Sequence, residues 1–212
     1  MQAYSEDYLF DAMEVLGEAF DCAANRVSLG LDQFFEMFVA TGIADAFGAG
    51  APRYVSGSSG IELVLDVCYR AGLDVGIPLA DMAADGEGPD YWCGWVLAYW
   101  QWEPGRPFRT IGRVTTMEEI RALYWPLHEA AEQKFVEVIE ERAARRGAPL
   151  KSWREQRGLS QVALAEKSGV SLRAIQQYEQ RCKNINHGQG ASLYRLAQTL
   201  GCRIEDLLEY PL

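Results

Sequence analysis

The segment SGVSLRAIQQYEQR, residues 168–181, sets Arg173, Gln176 and Gln177 on one side of a short helix, with Leu172 beside them. These are residue types that read base edges. A guanidinium pairs bidentately with guanine, a glutamine amide with adenine, and an apolar side chain meets the thymine methyl in the major groove. Other residues with chemical potential fall short of a site. HEAAE at 128–132 begins like the zinc motif HExxH but ends in Glu132, and the chain holds only His128 and His187, so a histidine-based metal site is not expected. The loop VSGSSGIE at 55–62 is neither GxSxG nor GxxxxGK[ST], and it reads as a plain turn capping a helix that starts near Gly60. Catalytic residues, cofactors and metals are therefore all expected to be absent. A hydrolase or transferase in the N-terminal part is the weakest functional alternative, because no motif with complete catalytic geometry supports it.

The base-reading residues need a scaffold, and the flanking sequence supplies one. From Leu150 onward KSWREQRG, SQVALAEKSG, SLRAIQQYEQR, GASLYRLAQTLG and RIEDLLE have the apolar spacing of short helices. Ser160 and Ser171 stand at N-cap positions. Gly169 falls at the tight turn between the second and third helices, where a positive φ is favoured. A helix-turn-helix needs a small residue where its helices cross, an apolar residue after the turn and apolar anchors on the second helix. Ala165, Gly169, Val170, Ile175 and Tyr178 supply these in order, with Leu159 and Leu164 completing the inner face.

The charge distribution agrees. The formal net charge of −10 conceals two unlike segments: residues 1–141 carry 8 Lys+Arg against 24 Asp+Glu, whereas 142–212 carry 12 against 6. A basic module joined to an acidic one signals nucleic-acid binding combined with a second task. The join is expected at 147–149, where Gly147 reads as a C-cap and Pro149 as a helix stop. The expected domains are thus 1–147 and 148–212.

On these residues, LKSWREQRGLSQVALAEKSGVSLRAIQQYEQ and LYRLAQTLGCRIEDLLE resemble the Cro/C1-type (XRE) helix-turn-helix domain of bacterial and phage regulators. The resemblance covers about residues 150–209. It implies a five-helix, lambda-repressor-like domain that binds double-stranded operator DNA, usually as a dimer. It also implies roles for single residues: Gln161 as a phosphate- and base-contacting glutamine, Arg173, Gln176 and Gln177 at base-reading positions, and an Arg154–Glu179 salt bridge between the first and third helices. Beyond the third helix the chain has QRCKNINHGQGAS where the family often has a short ENGK-like turn, and Arg181, Lys183 and Asn184 are the candidate phosphate donors there. The candidate DNA-binding set is Gln161, Ser171, Leu172, Arg173, Gln176, Gln177, Arg181, Lys183 and Asn184.

In the acidic part, residues 5–22, 31–47, 60–72, 89–102 and 116–146 have helical spacing, the last bent or split by Pro126. The fold class expected for the whole chain is all-α. Val55 and Ile111 to Val114 are the places where a stray strand would fall. Trp92, Trp95, Tyr99 and Trp102 form one helix stripe, read as core or a subunit seam, with an aromatic-lined pocket as the alternative. Gly94 and Ala98 on that helix permit close approach of a neighbour. VSGSSGIELV, DYWCGWVLAYWQW and LHEAAEQKFVE resemble N-terminal regions of uncharacterised role attached to such helix-turn-helix domains.

Five scattered cysteines without a CxxC pair suit a reduced compartment. The longest apolar stretch, 91–102, is too short to span a bilayer, and the acidic N-terminus does not read as a signal peptide. A cytoplasmic location without membrane contact is expected. The leading expectation is a sequence-specific transcriptional repressor acting as a homodimer. Its N-terminal domain would serve dimerisation, effector sensing or partner binding. The alternative is an antitoxin whose acidic domain neutralises a partner protein while the basic domain represses their shared operon.

Overall fold

The computed structural model describes residues 2–76, 88–145 and 148–209. Among these residues there are fourteen α-helices and no strand. The helices are α1 (Leu9–Asn25), α2 (Leu31–Ala40), α3 (Ile43–Gly48), α4 (Pro52–Val55), α5 (Gly60–Arg70), α6 (Pro89–Trp102), α7 (Phe108–Val114), α8 (Met117–Arg121), α9 (Tyr124–Leu127), α10 (Glu132–Arg145), α11 (Pro149–Gln156), α12 (Gln161–Ser168), α13 (Leu172–Glu179) and α14 (Gly190–Leu200). Short 3-10 turns occupy Glu6–Tyr8, Ile185–His187 and Ile204–Asp206. The chain divides into two compact units, 1–139 and 140–212, so the division falls inside α10. Gly147 lies outside the described residues. Pro149 opens α11 rather than stopping a helix, a position where a missing N–H leaves no intrahelical bond unmade.

In the first unit α1 is the central element, buried on most of its circumference from Ala12 to Ala23. Glycines allow its neighbours to approach backbone to backbone. A Cβ on Gly94 of α6 would sit 2.2 Å from the Leu16 carbonyl oxygen, and one on Gly60 of α5 would sit 2.5 Å from the Ala19 nitrogen. Alongside, Phe38, Phe47 and Phe108 form an edge-to-face cluster with ring centroids 5.2–5.9 Å apart, and Phe20 meets Phe34 in the same way. Buried Asp90 is paired with Arg121 and accepts from Asn25, which also donates to buried Asp21 at 2.9 Å.

The loop at 55–62 is a cap: Ser59 and Glu62 form a reciprocal capping box at the start of α5. The aromatic stripe of α6 packs as core, with Trp92, Tyr99 and Trp102 buried and Trp95 half-buried. Three of its four polar groups have hydrogen-bond partners. Trp102 Nε1 donates to the Tyr4 carbonyl and Trp95 Nε1 to Glu132 Oε1, both at 2.9 Å, while Gln133 donates to the Tyr99 hydroxyl at 2.7 Å. Val55 and Ile111–Val114, the places where a stray strand would fall, are helical like the rest of the unit, in α4 and α7, with Val55 and Ile111 buried against the helical core. Tertiary burial outweighs the weak β-preference of these short β-branched runs.

The second unit has its own core: Leu150, Leu164, Val170, Ile175, Tyr178, Ile185, Leu193, Leu196, Leu200 and Leu207 are buried together. The fifth helix expected from RIEDLLE is only the 3-10 turn at Ile204–Asp206.

The close approach of α1 and α6 yields a test. Because the atoms facing Gly94 are backbone, Gly94→Ala is expected to cost about 3 kcal/mol, the upper end of ordinary overpacking. Gly88→Ala, at the N-cap of α6 with nothing within 4 Å, is expected to cost less, about 1 kcal/mol. Urea unfolding of both variants measures the difference.

Candidate nucleic-acid interface

The turn between α12 and α13 is built from local rules. Gly169 ends α12 in the left-handed region at φ +66°, its N–H donating to the Ala165 carbonyl at 2.9 Å. Ser160 caps α12 by accepting from the Ala163 N–H at 3.0 Å, and Ser171 caps α13 by accepting from Ala174 at 3.3 Å. Ser168 is buried and its hydroxyl bridges the turn, donating to the Leu164 carbonyl and accepting from the Val170 N–H. Val170, Ile175 and Tyr178 then anchor the inner side of α13 in the core.

That anchoring leaves the opposite side for contact. Arg173 is exposed, and Leu172, Gln176 and Gln177 are half-buried. The side chains of Arg173, Gln176 and Gln177 have no hydrogen-bond or ion-pair partner among the described residues. Their donors and acceptors are available to a ligand. Leu172 opens the helix beside Arg173.

One buried carboxylate orients this helix. Glu179, whose side chain is 3% exposed, accepts from Arg154 Nε at 2.6 Å and from Nη2 at 2.9 Å. The Arg154 Nη1 donates to the Leu159 carbonyl at 2.7 Å. The hydrogen bonds from Arg154 to Glu179 hold the guanidinium pKa above its ordinary value, against the opposing effect of burial. A bidentate pair fixes direction as well as distance, so α11 and α13 are locked in register. The Arg154–Glu179 bridge expected from the family resemblance is present.

Gln161 has a role that spacing did not reveal. Its Nε2 donates to Glu179 Oε2 at 2.8 Å, which brings α12 into the same network. The candidates beyond α13 are also engaged. Arg181 adopts φ +55° and pairs with Glu209 at 3.1 Å. The Lys183 ammonium lies 5.7 Å from the centre of the Tyr178 ring. Asn184 caps the turn at Ile185–His187 by accepting from Asn186 at 2.9 Å. Asn186 is itself tied to the Glu209 backbone in both directions. The structure thus groups Leu172, Arg173, Gln176 and Gln177 on one open face. It gives Ser171 a capping role, Gln161 an internal bond, and Arg181, Lys183 and Asn184 intramolecular partners.

Two anchors were missed in the sequence reading, Glu209 and Arg157. Arg157 donates to the Leu200 carbonyl at 2.7 Å and so caps the end of α14. The available signal was a basic residue for an unsatisfied helix terminus, but its partner lies 43 residues away.

Residues 150–207 match the helix-turn-helix family model, and this match supports a DNA-binding transcriptional regulator. No curated protein and no solved structure matches the chain. Among the described residues no helix is long and apolar enough to cross a membrane.

Glu179→Ala would leave the Arg154 guanidinium buried without its partner, at an expected cost of roughly 3 to 5 kcal/mol. Thermal unfolding of the variant would record that loss. A melting curve unchanged from the parent chain would refute the orienting role of Glu179.

Proposed function

We propose that this chain is a sequence-specific transcriptional repressor that binds double-stranded operator DNA as a homodimer, laying α13 in the major groove. The observation that carries the reading is the open face of α13, with the Arg173, Gln176 and Gln177 side chains unpaired on a helix whose opposite side is anchored in a core. In this reading Arg173 pairs with a guanine, Gln176 and Gln177 meet adenine edges, and Leu172 touches a thymine methyl. Gln161 contributes its second amide hydrogen to a phosphate while the first stays on Glu179. Ser171, at the helix start, and Arg181, Lys183 and Asn184, after its end, flank the same face and supply backbone contacts. Arg181 would exchange Glu209 for phosphate, so its share depends on that exchange.

Two copies read two half-sites, and the acidic N-terminal unit serves dimerisation or reception of a signal. Its negative charge keeps phosphates away from itself and confines binding to the basic module. The proteins of this reading act in the cytoplasm. An antitoxin function would keep the same operator contacts and add a partner neutralised by the N-terminal unit. The observation in its favour is the aromatic face of Phe10 and Trp95, whose indole N–H is held by the Glu132 carboxylate.

The reading is tested by selecting sites from a random DNA library with the full-length protein and measuring affinity across a salt series. The log–log slope is expected at about −0.9 per neutralised phosphate. Arg173→Ala is expected to cost roughly 1 to 3 kcal/mol and to relax preference at one base position. Equal weakening on every sequence would make Arg173 a phosphate contact, and failure to enrich any sequence would overturn the reading.

A further inference from the structure

One surface of the N-terminal unit is left unexplained by DNA recognition. Phe10, on the first turn of α1, is 62% exposed, an unusual state for a phenylalanine beside a large aromatic core. Its ring stands edge-on to Trp95 of α6 at 5.4 Å, and Trp95 in turn stacks on Tyr91 at 6.0 Å. The three rings form a continuous aromatic strip, half-buried at Tyr91 and Trp95 and open at Phe10.

Carboxylates border the strip from both sides. Glu132 holds the Trp95 indole N–H. Glu14 and Glu18, one helical turn apart on α1, act on the Tyr91 hydroxyl, whose pKa is pushed up to about 12 by burial first and by these two charges next. About two turns further along α6, the Tyr99 hydroxyl is raised by burial first, with Glu103, Glu132 and Glu6 adding to the effect and the Gln133 hydrogen bond opposing it. Asp11 follows Phe10 on the same exposed edge of α1. Every charge acting on these two hydroxyls is negative.

Aromatic faces and carboxylates together favour one kind of occupant. A guanidinium or ammonium group is attracted by a ring face within about 6 Å of its centre, and the bordering carboxylates add charge complementarity. Polyanions and acidic peptides would be repelled. We propose that this strip is the docking site for a cationic segment of a partner protein, a helix bearing arginine or lysine whose charged heads meet Glu14, Glu18 and Glu132 and whose apolar side chains cover Phe10. The inference goes beyond the DNA-binding reading and stands independently of it, because none of these residues belongs to the helix-turn-helix unit.

The test uses the full-length protein and a synthetic amphipathic helix of alternating arginine and leucine turns, titrated by calorimetry at low and high salt. Binding that weakens with salt is expected. Phe10→Ser should weaken it by about tenfold, through loss of the apolar contact that covers this ring. Glu14→Gln should weaken it several-fold and flatten the salt dependence. Tyr69→Ala and Glu36→Gln, exposed residues of α5 and α2, should leave it unchanged. Circular dichroism checks that each variant folds, and Glu14→Gln decides the matter if Phe10→Ser does not. Absence of binding, or equal weakening by Glu36→Gln, would overturn the proposal in favour of non-specific charge attraction. A change in self-association on Phe10→Ser, with the peptide affinity unmoved, would assign the strip to a second copy of this chain and also overturn it. Loss of DNA binding with the peptide affinity retained would touch only the operator reading.

Discussion

Burying a carboxylate costs several kcal/mol unless a charge and further hydrogen bonds answer it, and the C-terminal unit answers the Glu179 carboxylate from two directions. Arg154 reaches it from α11 with two bonds and Gln161 reaches it from α12 with a third. Three helices are therefore referred to a single anion, placed at the end of the helix that carries the open face of Arg173, Gln176 and Gln177. A purely apolar core would hold these helices together but allow them to slide or rotate, since dispersion is not directional. The bidentate geometry removes that freedom. The open face of α13 depends on it, because a rotation of one residue would turn Arg173 away and bring Ile175 toward solvent.

Charge segregation does for the whole chain what Glu179 does for the domain. The acidic segment and the basic segment have opposite formal charges in one polypeptide. A polyanion approaching this protein meets attraction at one unit and repulsion at the other, so the overall negative charge is no obstacle to DNA recognition. The same asymmetry suits the N-terminal unit to cationic partners. In that unit the packing is set by glycine rather than by charge: α1 is approached so closely by α5 and α6 that Gly60 and Gly94 have no room for a Cβ.

Much of the DNA-facing unit was legible because its signals are local. Ser160, Ser171 and Gly169 act within three or four residues of their own positions, and the apolar spacing of Val170, Ile175 and Tyr178 directly encodes the buried side of a short helix. The stripe of α6 was legible for the same reason. What escaped were relations between distant residues. Gln161 reads as a surface contact until Glu179, 18 positions away, draws its amide inward. Arg181 reads as free until Glu209 pairs with it. One break within a long periodic segment was hidden, the split of 31–47 where Gly42 takes φ +77°; the split of 116–146 was expected at Pro126, but the breaks fall on either side of it and Pro126 lies inside α9. Val55 and Ile111 show the limit of local preference, since residues suited to strands became helical where the surrounding core required it.

The most direct measurement of the central idea, that α13 reads bases in the major groove, is dimethyl sulfate protection of guanine N7 on a selected site bound by the full-length protein. The expected result is protection in two blocks about 10 base pairs apart, one for each copy of α13. Unprotected guanines throughout a bound site, or protection confined to adenine N3 in the minor groove, would contradict it.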